Sequence, residues 1–225
     1  MQLSSRLPKG ALFHMGVSNT RRCWNMFQLP ESVESACNVG CCGIDGCVST
    51  LVGASLVNPD RLCYVVVGDL TFFYDLNSLG NHHIGTNLRV MLVNNGRGTE
   101  FRLGIHHCNV FGDDADKYMA AAGHFGNKSP LLVKHYAEDL GFHYLSATTK
   151  EEFMTALSNF TNPQLSDHSM ILEVFTDSKD ESEALYLMSH IQSDAKGMVR
   201  SKLKDAVRNV AGEKGINAIK KILKK

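Results

Sequence analysis

Two polar residues, Asp69 and Asn95, follow two apolar runs of the chain at the points where those runs end. The runs cover residues 62–67 and 88–93, and near-continuous apolar runs are typical of central strands in a parallel sheet. A right-handed crossover makes the two strands parallel, so their carboxyl ends share the edge where open α/β sheets bind ligands. Carboxylate and amide oxygens suit Mg²⁺ or Ca²⁺, and Mg²⁺ keeps other positions for water and phosphate oxygens. The pattern therefore predicts a site for a metal-bound phosphorylated cofactor.

Strand-like and helix-like segments alternate along the chain, which predicts a three-layer α/β sandwich with a mostly parallel central sheet. Besides the two runs, strands are expected at residues 11–16, 33–37, 142–146 and 169–175. Helical segments are expected at residues 20–27, 47–57, 71–84, 113–123, 130–140, 149–160 and 180–191. Thr149 and Glu152 form a capping-box pattern. Ser129 and Pro130 are the expected N-cap and first residue of another helix, which Gly141 ends.

Two turns have features of anion sites. Residues 40–46 contain three glycines and lead into a buried helix, the general shape of a phosphate cradle, although glycines also serve tight turns. Ser18 or Asn19 could cap a helix that follows a strand, and such a helix start attracts anions. Arg21 and Arg22 would lie in its first turn, where cations are unfavourable. That conflict suggests that an anionic group holds at least one of them, although solvated surface arginines are the commoner case.

A polar loop follows Asn95 at the predicted ligand edge of the sheet. Loops at such edges carry much of the function of α/β proteins. Four side chains of this region are therefore candidates to face a substrate: Glu100, Arg102, His106 and His107.

The composition excludes several classes of partner. The chain has 23 basic and 23 acidic residues, so its net charge indicates no nucleic acid, and no apolar run reaches the length of a membrane span. No signal-peptide core is visible at residues 1–10. The seven cysteines are expected to be free thiols in a reducing cytoplasm. A metal or iron–sulfur site is the alternative, but its spacing matches no usual pattern; it would use Cys37, Cys41, Cys42 and Cys47.

The last 30 residues differ in composition from the rest. Residues 196–225 contain ten Lys or Arg and only two acids, with apolar positions at helical spacing. We expect residues 1–195 to form the α/β domain and residues 196–225 an amphipathic helical tail that packs on the body or on a neighbouring subunit. A basic helix that contacts a membrane or nucleic acid is the alternative.

The paired motifs resemble a known cofactor signature. Gly68-Asp69 and Asn94-Asn95, with Asn95 lying 26 positions after Asp69, resemble the thiamin-diphosphate signature of the 2-oxoacid decarboxylase and acyloin synthase superfamily. The likeness is closer over residues 35–102, through the motifs Gly-Ile-Asp-Gly (43–46), Gly-Asp-Leu-Thr (68–71) and Val-Asn-Asn (93–95). There the chain resembles the C-terminal, diphosphate-binding domain of the 2-succinyl-5-enolpyruvyl-6-hydroxy-3-cyclohexene-1-carboxylate synthases of menaquinone biosynthesis. A looser likeness covers residues 11–190.

The resemblance implies a ligand set for Mg²⁺ and thiamin diphosphate. Asp69 and Asn95 would bind the metal by their side chains, and Arg97 would bind it by its backbone carbonyl. Ser18 and Thr71 would contact the diphosphate.

Further roles follow from the same resemblance. Ile44 matches the apolar wedge that keeps the cofactor bent, and the backbone of Gly43 matches the group that meets the aminopyrimidine. Leu70 belongs to the cofactor-binding motif. Arg22 aligns with a basic residue that these synthases use on substrate carboxylates.

Three departures from the family pattern affect the substrate and leave the cofactor motif intact. The loop of residues 97–102 is more charged than the family's usual Gly-rich stretch. Val39 stands where these synthases typically have a substrate-binding arginine, and Cys42 replaces a serine. The chain could therefore belong to a related decarboxylase, of the phosphonopyruvate or sulfopyruvate type, or be a non-catalytic module of the same fold. A nucleotide-binding Rossmann domain is disfavoured, because the glycines of residues 40–46 are not spaced as Gly-x-Gly-x-x-Gly.

In this superfamily a glutamate from a separate pyrimidine-binding domain activates the cofactor. The chain has room only for the diphosphate-binding domain, so the resemblance implies no catalytic residue of its own. The missing domain would lie on the same full-length chain or on a partner subunit of an enzyme that acts on a 2-oxoacid. A homo-oligomer is expected.

We therefore predict that the isolated chain is catalytically silent. Incubated with Mg²⁺, thiamin diphosphate and either pyruvate or 2-oxoglutarate, it should release no CO₂ above the protein-free rate. Decarboxylation by the purified chain alone would contradict this prediction.

Overall fold

The computed structural model describes residues 2–103, 106–119, 121 and 123–191. Six strands form one sheet in the order β2-β1-β3-β4-β6-β5, and every neighbouring pair is parallel. The strands are β1 (Leu12–Met15), β2 (Glu34–Cys37), β3 (Cys63–Gly68), β4 (Leu88–Asn94), β5 (His143–Ala147) and β6 (Met170–Phe175). The predicted α/β class is confirmed, and the sheet is wholly parallel.

Helices connect the strands. They are α1 (Asn19–Trp24), α2 (Cys47–Val57), α3 (Asp69–Tyr74), α4 (Ala115–Tyr118), α5 (Leu132–Asp139), α6 (Lys150–Phe160) and α7 (Ser178–His190). Short 3₁₀ helices cover Ser4–Arg6, Leu76–Gly80, Thr99–Arg102 and His107–Asp114. Over the described ranges, no helix combines the length and the apolar character needed to cross a bilayer.

The chain divides into two units, Met1–Ser182 and Glu183–Lys225. The first unit contains the sheet. Within the second, the description ends at residue 191, so the predicted amphipathic tail at residues 196–225 lies outside the described residues.

Side chains of the central strands alternate between two apolar cores, one on each face of the sheet. Val65 of β3 and Val90 of β4 enter the core that α2, α3 and α5 cover. Tyr64 and Leu172 enter the opposite core, which α6 covers. Both faces are thus buried, which explains why β3 and β4 are continuous apolar runs in the sequence. The three-layer arrangement agrees with the prediction.

The order of the strands reverses between β1 and β3. From β1 the chain moves outward to β2, then returns to place β3 on the other side of β1. A crevice forms outside the carboxyl ends of the strands at such a switch point. Gly16 lies there, its N–H donating to the carbonyl of Val66 at 2.8 Å, and a Cβ on Gly16 would stand 3.1 Å from that oxygen. The lack of a side chain at Gly16 therefore lets the two strand ends approach closely.

Helix boundaries agree with the sequence where local capping decides them. Thr149 and Glu152 make both bonds of the predicted capping box. Gly141, at φ +83°, follows α5, and the N–H groups of Gly141 and Phe142 donate to the carbonyls of Glu138 and Ala137. These two bonds form a Schellman motif, which satisfies carbonyls at the helix end.

Three helix predictions need correction. Helix α5 begins at Leu132 and not at Pro130. Residues 129–132 form a turn in which the N–H of Leu132 donates to the carbonyl of Ser129, three residues back rather than four. The crossover after β3 is split into α3 and a 3₁₀ helix rather than being one helix over residues 71–84. The segment 113–123 is helical only through the end of a 3₁₀ helix and the four residues of α4.

Strand β2 forms an edge of the sheet within the part of the chain that is described. Three of its four residues are exposed. Glu34 at its start pairs with Arg61, whose Nη2 lies 2.8 Å from Glu34 Oε1. This edge thus carries a charged pair.

We predict that Thr149→Ala lowers the free energy of unfolding by about 1 kcal/mol, because the N–H of Glu152 loses its side-chain acceptor. Urea unfolding measures the change. Thr155→Ala, at an exposed position of the same helix, is the matched control and should change stability by less than about 0.5 kcal/mol. Equal losses in the two variants would show that the cap contributes nothing specific.

Candidate metal and cofactor site

The carboxyl ends of β3 and β4 bring Asp69 and Asn95 together. The two strands pair in parallel register up to Gly68 and Val93. Asp69 is 3 % exposed, and its Oδ1 accepts the N–H of Leu70 at 2.8 Å. Its Oδ2 accepts the N–H groups of Asn95 and Arg97 at 3.2 and 3.1 Å. Thr71, which is also buried, lies in the first turn of α3 that follows.

The amide oxygen of Asn95 lies close to the same carboxylate. Asn95 Oδ1 accepts the N–H of Arg97 at 3.0 Å, the group that also donates to Asp69 Oδ2. One donor shared by two oxygens holds those oxygens near each other. Asn95 Nδ2 donates to Thr99 Oγ1 and Glu181 Oε2, both at 2.9 Å. The oxygen and the nitrogen of the amide therefore have separate partners.

These donors fit a small divalent cation. A carboxylate oxygen beside an amide oxygen is the ligand chemistry that Mg²⁺ and Ca²⁺ select. Across the described residues, no group of three or more His, Cys, Asp or Glu side chains is placed to hold a metal. A cation here would need backbone carbonyls, water or phosphate oxygens to complete its shell, as Mg²⁺ sites with phosphorylated ligands do.

Two further side chains, from segments distant in the sequence, join this site. His124 Nε2 lies 3.2 Å from Asp69 Oδ2 without hydrogen-bond alignment. Glu181 reaches Asn95 from α7. Burial raises the pKa of Glu181, the charge of Asp69 raises it further, and hydrogen bonds from Thr176 and Asn95 oppose these effects. No local motif marks either residue, because tertiary structure alone brings them to the site.

A second cluster forms around Ser18 at the end of β1. Ser18 has φ 62° and ψ −128°, a strained conformation for a residue with a side chain. Its hydroxyl hydrogen-bonds to Glu100 Oε2, and Arg22 Nη2 lies 2.8 Å from Glu100 Oε1. Arg22 also donates to Asn19 Oδ1 at 2.9 Å. The anionic partner expected near Arg21 or Arg22 is therefore Glu100.

The environment of Glu100 stabilises its charged form. Burial alone would raise the pKa of Glu100, but hydrogen bonds from Ser18 and Arg22, with the charge of Arg22, hold it below its ordinary value. Three residues predicted to face cofactor or substrate thus lie together, although the chain separates Arg22 from Glu100 by 78 positions.

Arg102 is predicted to face a substrate, but in the structure it pairs with two aspartates of the chain. Its Nη2 lies 2.5 Å from Asp116 Oδ1 and its Nη1 3.6 Å from Asp113 Oδ1. The Arg102 side chain is 13 % exposed, and Arg97 Nη1 lies 3.7 Å from Asp116 Oδ2. Both arginines therefore help to tie the loop after β4 to the segment that follows it.

The glycine-rich loop enters α2 as predicted. Gly46, at φ +80°, is the N-cap of α2, and half-buried Gly43 lies just before it. Ile44 packs against the core that α2 covers. The N–H of Ser49, in the first turn of α2, donates to Asp75 Oδ2 at 2.6 Å, so a carboxylate of this chain already occupies that helix end.

The cysteines give no support to a metal or iron–sulfur site. Among the described residues, no three or more His, Cys, Asp or Glu side chains are grouped so that they could hold an ion. The four thiols of the 37–47 group form no disulfide, and burial raises the pKa of Cys47 to about 11.

Comparison with known proteins finds similarity to a group of enzymes that share one name. No protein-family model matches the chain. It is 34% identical over 183 residues to the 2-succinyl-5-enolpyruvyl-6-hydroxy-3-cyclohexene-1-carboxylate synthase of Bacteroides fragilis, a match that covers 81% of this chain and 31% of the relative. The enzymes of the same name from Phocaeicola vulgatus and Christiangramia forsetii are each 34% identical, over 187 and 184 residues. The chain thus spans less than a third of the length of these relatives.

We predict that Glu100→Gln lowers the free energy of unfolding at neutral pH by about 0.5–1 kcal/mol, through loss of the partly exposed pair with Arg22. Because the folded-state pKa of Glu100 is depressed, this stabilisation is present above the unfolded pKa, roughly 4.3, and is lost as pH falls through the folded value. Urea unfolding at neutral pH and at about pH 3 measures both effects.

Glu34→Gln is the control, because it removes the acid of another arginine pair whose glutamate side chain is 72% exposed. It should change stability less than Glu100→Gln at neutral pH. A Glu100→Gln deficit of the same size at both pH values would contradict the assigned ion pair.

Proposed function

We propose that this chain is the diphosphate-binding part of a thiamin-diphosphate- and Mg²⁺-dependent enzyme that acts on a 2-oxoacid. The enzyme type that best fits is a 2-succinyl-5-enolpyruvyl-6-hydroxy-3-cyclohexene-1-carboxylate synthase, the name that the curated relatives carry. When bound, thiamin diphosphate supplies the carbanion chemistry by which a 2-oxoacid loses CO₂.

One observation carries the proposal. Asp69 Oδ2 and Asn95 Oδ1 share the backbone N–H of Arg97, at the carboxyl ends of two neighbouring parallel strands. Hard oxygen donors placed at this edge are suited to a cation that carries phosphate oxygens. Similarity over four-fifths of the chain to a 2-succinyl-5-enolpyruvyl-6-hydroxy-3-cyclohexene-1-carboxylate synthase supports the same conclusion.

The residues of the site divide into three roles under this proposal. Asp69 and Asn95 hold the cation by their side chains, and Arg97 holds it by its backbone carbonyl. Ser18 and Thr71 bind the diphosphate, and the strained backbone of Ser18 agrees with a functional constraint at that position. Leu70, Gly43 and Ile44 complete the surface that orients the cofactor.

In this structure the arginines proposed to bind substrate are paired with carboxylates of the chain itself, so a substrate would have to replace those carboxylates. Arg22 is the cation proposed to bind a substrate carboxylate, and Glu100 occupies it in this structure. A bound 2-oxoacid would replace Glu100 on Arg22. Arg102 would take part only if its pair with Asp116 opens.

The relatives are about three times longer than the matched segment. We propose that the rest of such an enzyme, on the same full-length chain or on a second subunit, supplies a pyrimidine-binding domain with the glutamate that activates the cofactor. The chain described here would position the cation and diphosphate and leave proton transfer at the cofactor ring to that domain.

We predict that Asp69→Asn weakens Mg²⁺-dependent binding of thiamin diphosphate by at least about tenfold, because an uncharged amide replaces the carboxylate at the cation. Titration calorimetry of the 225-residue chain, alone and with an added pyrimidine-binding domain, measures the affinity.

Asp60→Asn is the matched control, since Asp60 is an exposed aspartate in the turn before β3 and makes the same change of charge. It should leave the affinity unchanged. If the wild-type chain with the added domain shows no Mg²⁺-dependent binding, the proposal is wrong and a non-catalytic module of the same fold is the better description.

A further inference from the structure

We infer that Glu181 is a positioning residue, which fixes the side-chain amide of Asn95 so that its oxygen, and not its nitrogen, faces the cation site. The inference rests on the proposed function, since the cation is the one proposed there. It assigns a role to a residue of α7, far along the chain from both parts of the Asp–Asn signature.

The amide of Asn95 has two possible orientations that differ by exchange of Oδ1 and Nδ2. Only the orientation with Oδ1 beside Asp69 Oδ2 offers a lone pair to a cation. In the other, an NH₂ group would face both the cation and the N–H of Arg97, which already donates to Oδ1 at 3.0 Å. A metal ligand of this type therefore needs a partner that holds its nitrogen elsewhere.

Asn95 Nδ2 has two such partners, Thr99 Oγ1 and Glu181 Oε2. A threonine hydroxyl both donates and accepts, so it can hydrogen-bond to either end of an amide. A carboxylate only accepts, so it pairs with Nδ2 and repels Oδ1. Of these two contacts, the one with Glu181 therefore discriminates between the two orientations.

The fold fixes the position of Glu181. The N–H of Thr176 donates to the carbonyl of Asn94 at 3.1 Å, which continues the pairing of β6 with β4 past the strand ends. The Thr176 hydroxyl hydrogen-bonds to Glu181 Oε1, and the carboxylate of Asp177 accepts the N–H groups of Lys179 and Asp180 at the start of α7. Glu181 is thus anchored by one oxygen and presents the other to Asn95.

The direct test is the side-chain ¹⁵N–¹H₂ signal of Asn95, assigned by its loss in Asn95→Ser. In Glu181→Leu the proton that donates to the carboxylate should move upfield, because its charged acceptor is gone. In Glu181→Gln the amide oxygen can still accept from Nδ2, so the signal should stay closer to that of the wild-type chain. An unmoved signal in Glu181→Leu would overturn the inference. The measurement needs no cofactor.

The functional readout is the Mg²⁺ affinity of the full chain with saturating thiamin diphosphate and the added pyrimidine-binding domain. Glu181→Leu should raise the Kd for Mg²⁺ by about 10- to 100-fold, as losses of outer-shell partners do. Glu181→Gln should raise the Kd less than Glu181→Leu does, because its amide oxygen can still accept from Nδ2, although its NH₂ group no longer excludes the other orientation. An equal loss in both variants would show that charge, not orientation, is the contribution of Glu181, and would overturn the inference.

Glu183→Leu is the matched control, because Glu183 is an exposed glutamate on the same helix and should leave both readouts unchanged. Thermal unfolding checks that each variant is folded. If the wild-type chain binds no Mg²⁺ under these conditions, the proposed function fails, while the Asn95 signal still decides whether Glu181 fixes the amide.

Discussion

A carboxyl group that is buried at the end of β3 constrains how the chain folds after β4. Asp69 is 3 % exposed, and a buried polar group is costly unless it is hydrogen-bonded. Three backbone N–H groups satisfy it, those of Leu70, Asn95 and Arg97. To bring the last two to one carboxylate, the chain turns tightly through Gly96 at φ +73°. This turn also sets where Thr99 and Glu100 begin the loop that follows.

The two polar clusters of the site depend on that loop. The side chain of Glu100 contacts Ser18 and Arg22 at the end of β1, whereas the side chain of Thr99 contacts Asn95. The loop therefore links the two sides of the switch point, between β1 and β3, by side-chain contacts. A substitution that moves the turn around Asp69 should also move the contacts of Ser18, because both clusters contain residues of the 3₁₀ helix Thr99–Arg102.

Much of this arrangement could be predicted from the sequence, and the reasons are local. Continuous apolar runs identify β3 and β4, because both faces of a central strand are buried. The Thr149–Glu152 pair and Gly141 mark helix ends, since capping uses residues that are close in the chain. Asp69 and Asn95 come together because they follow two adjacent parallel strands. Their proximity can therefore be predicted once those two strands are recognised as neighbours.

What could not be predicted depends on contacts between distant segments. Asp75 interrupts the crossover helix, and its carboxylate meets the N–H of Ser49 on α2. Glu181 and His124 reach the Asp–Asn pair from elements whose positions no short motif encodes. The pairing of Arg102 with Asp116 likewise requires the path of the loop after β4. The sequence places residues along elements, but the partners of long polar side chains depend on how those elements are packed.

The charged pair at the edge strand β2 has a consequence for how copies of this chain meet in solution. An exposed edge strand has backbone groups that a strand of another molecule could pair with. Here a second strand would have to cover Glu34 and displace Arg61 from it, which would strip water from both charges. Extension of the sheet from one molecule into the next is therefore disfavoured at this edge, and assembly is expected to use side-chain surfaces in preference to strand addition.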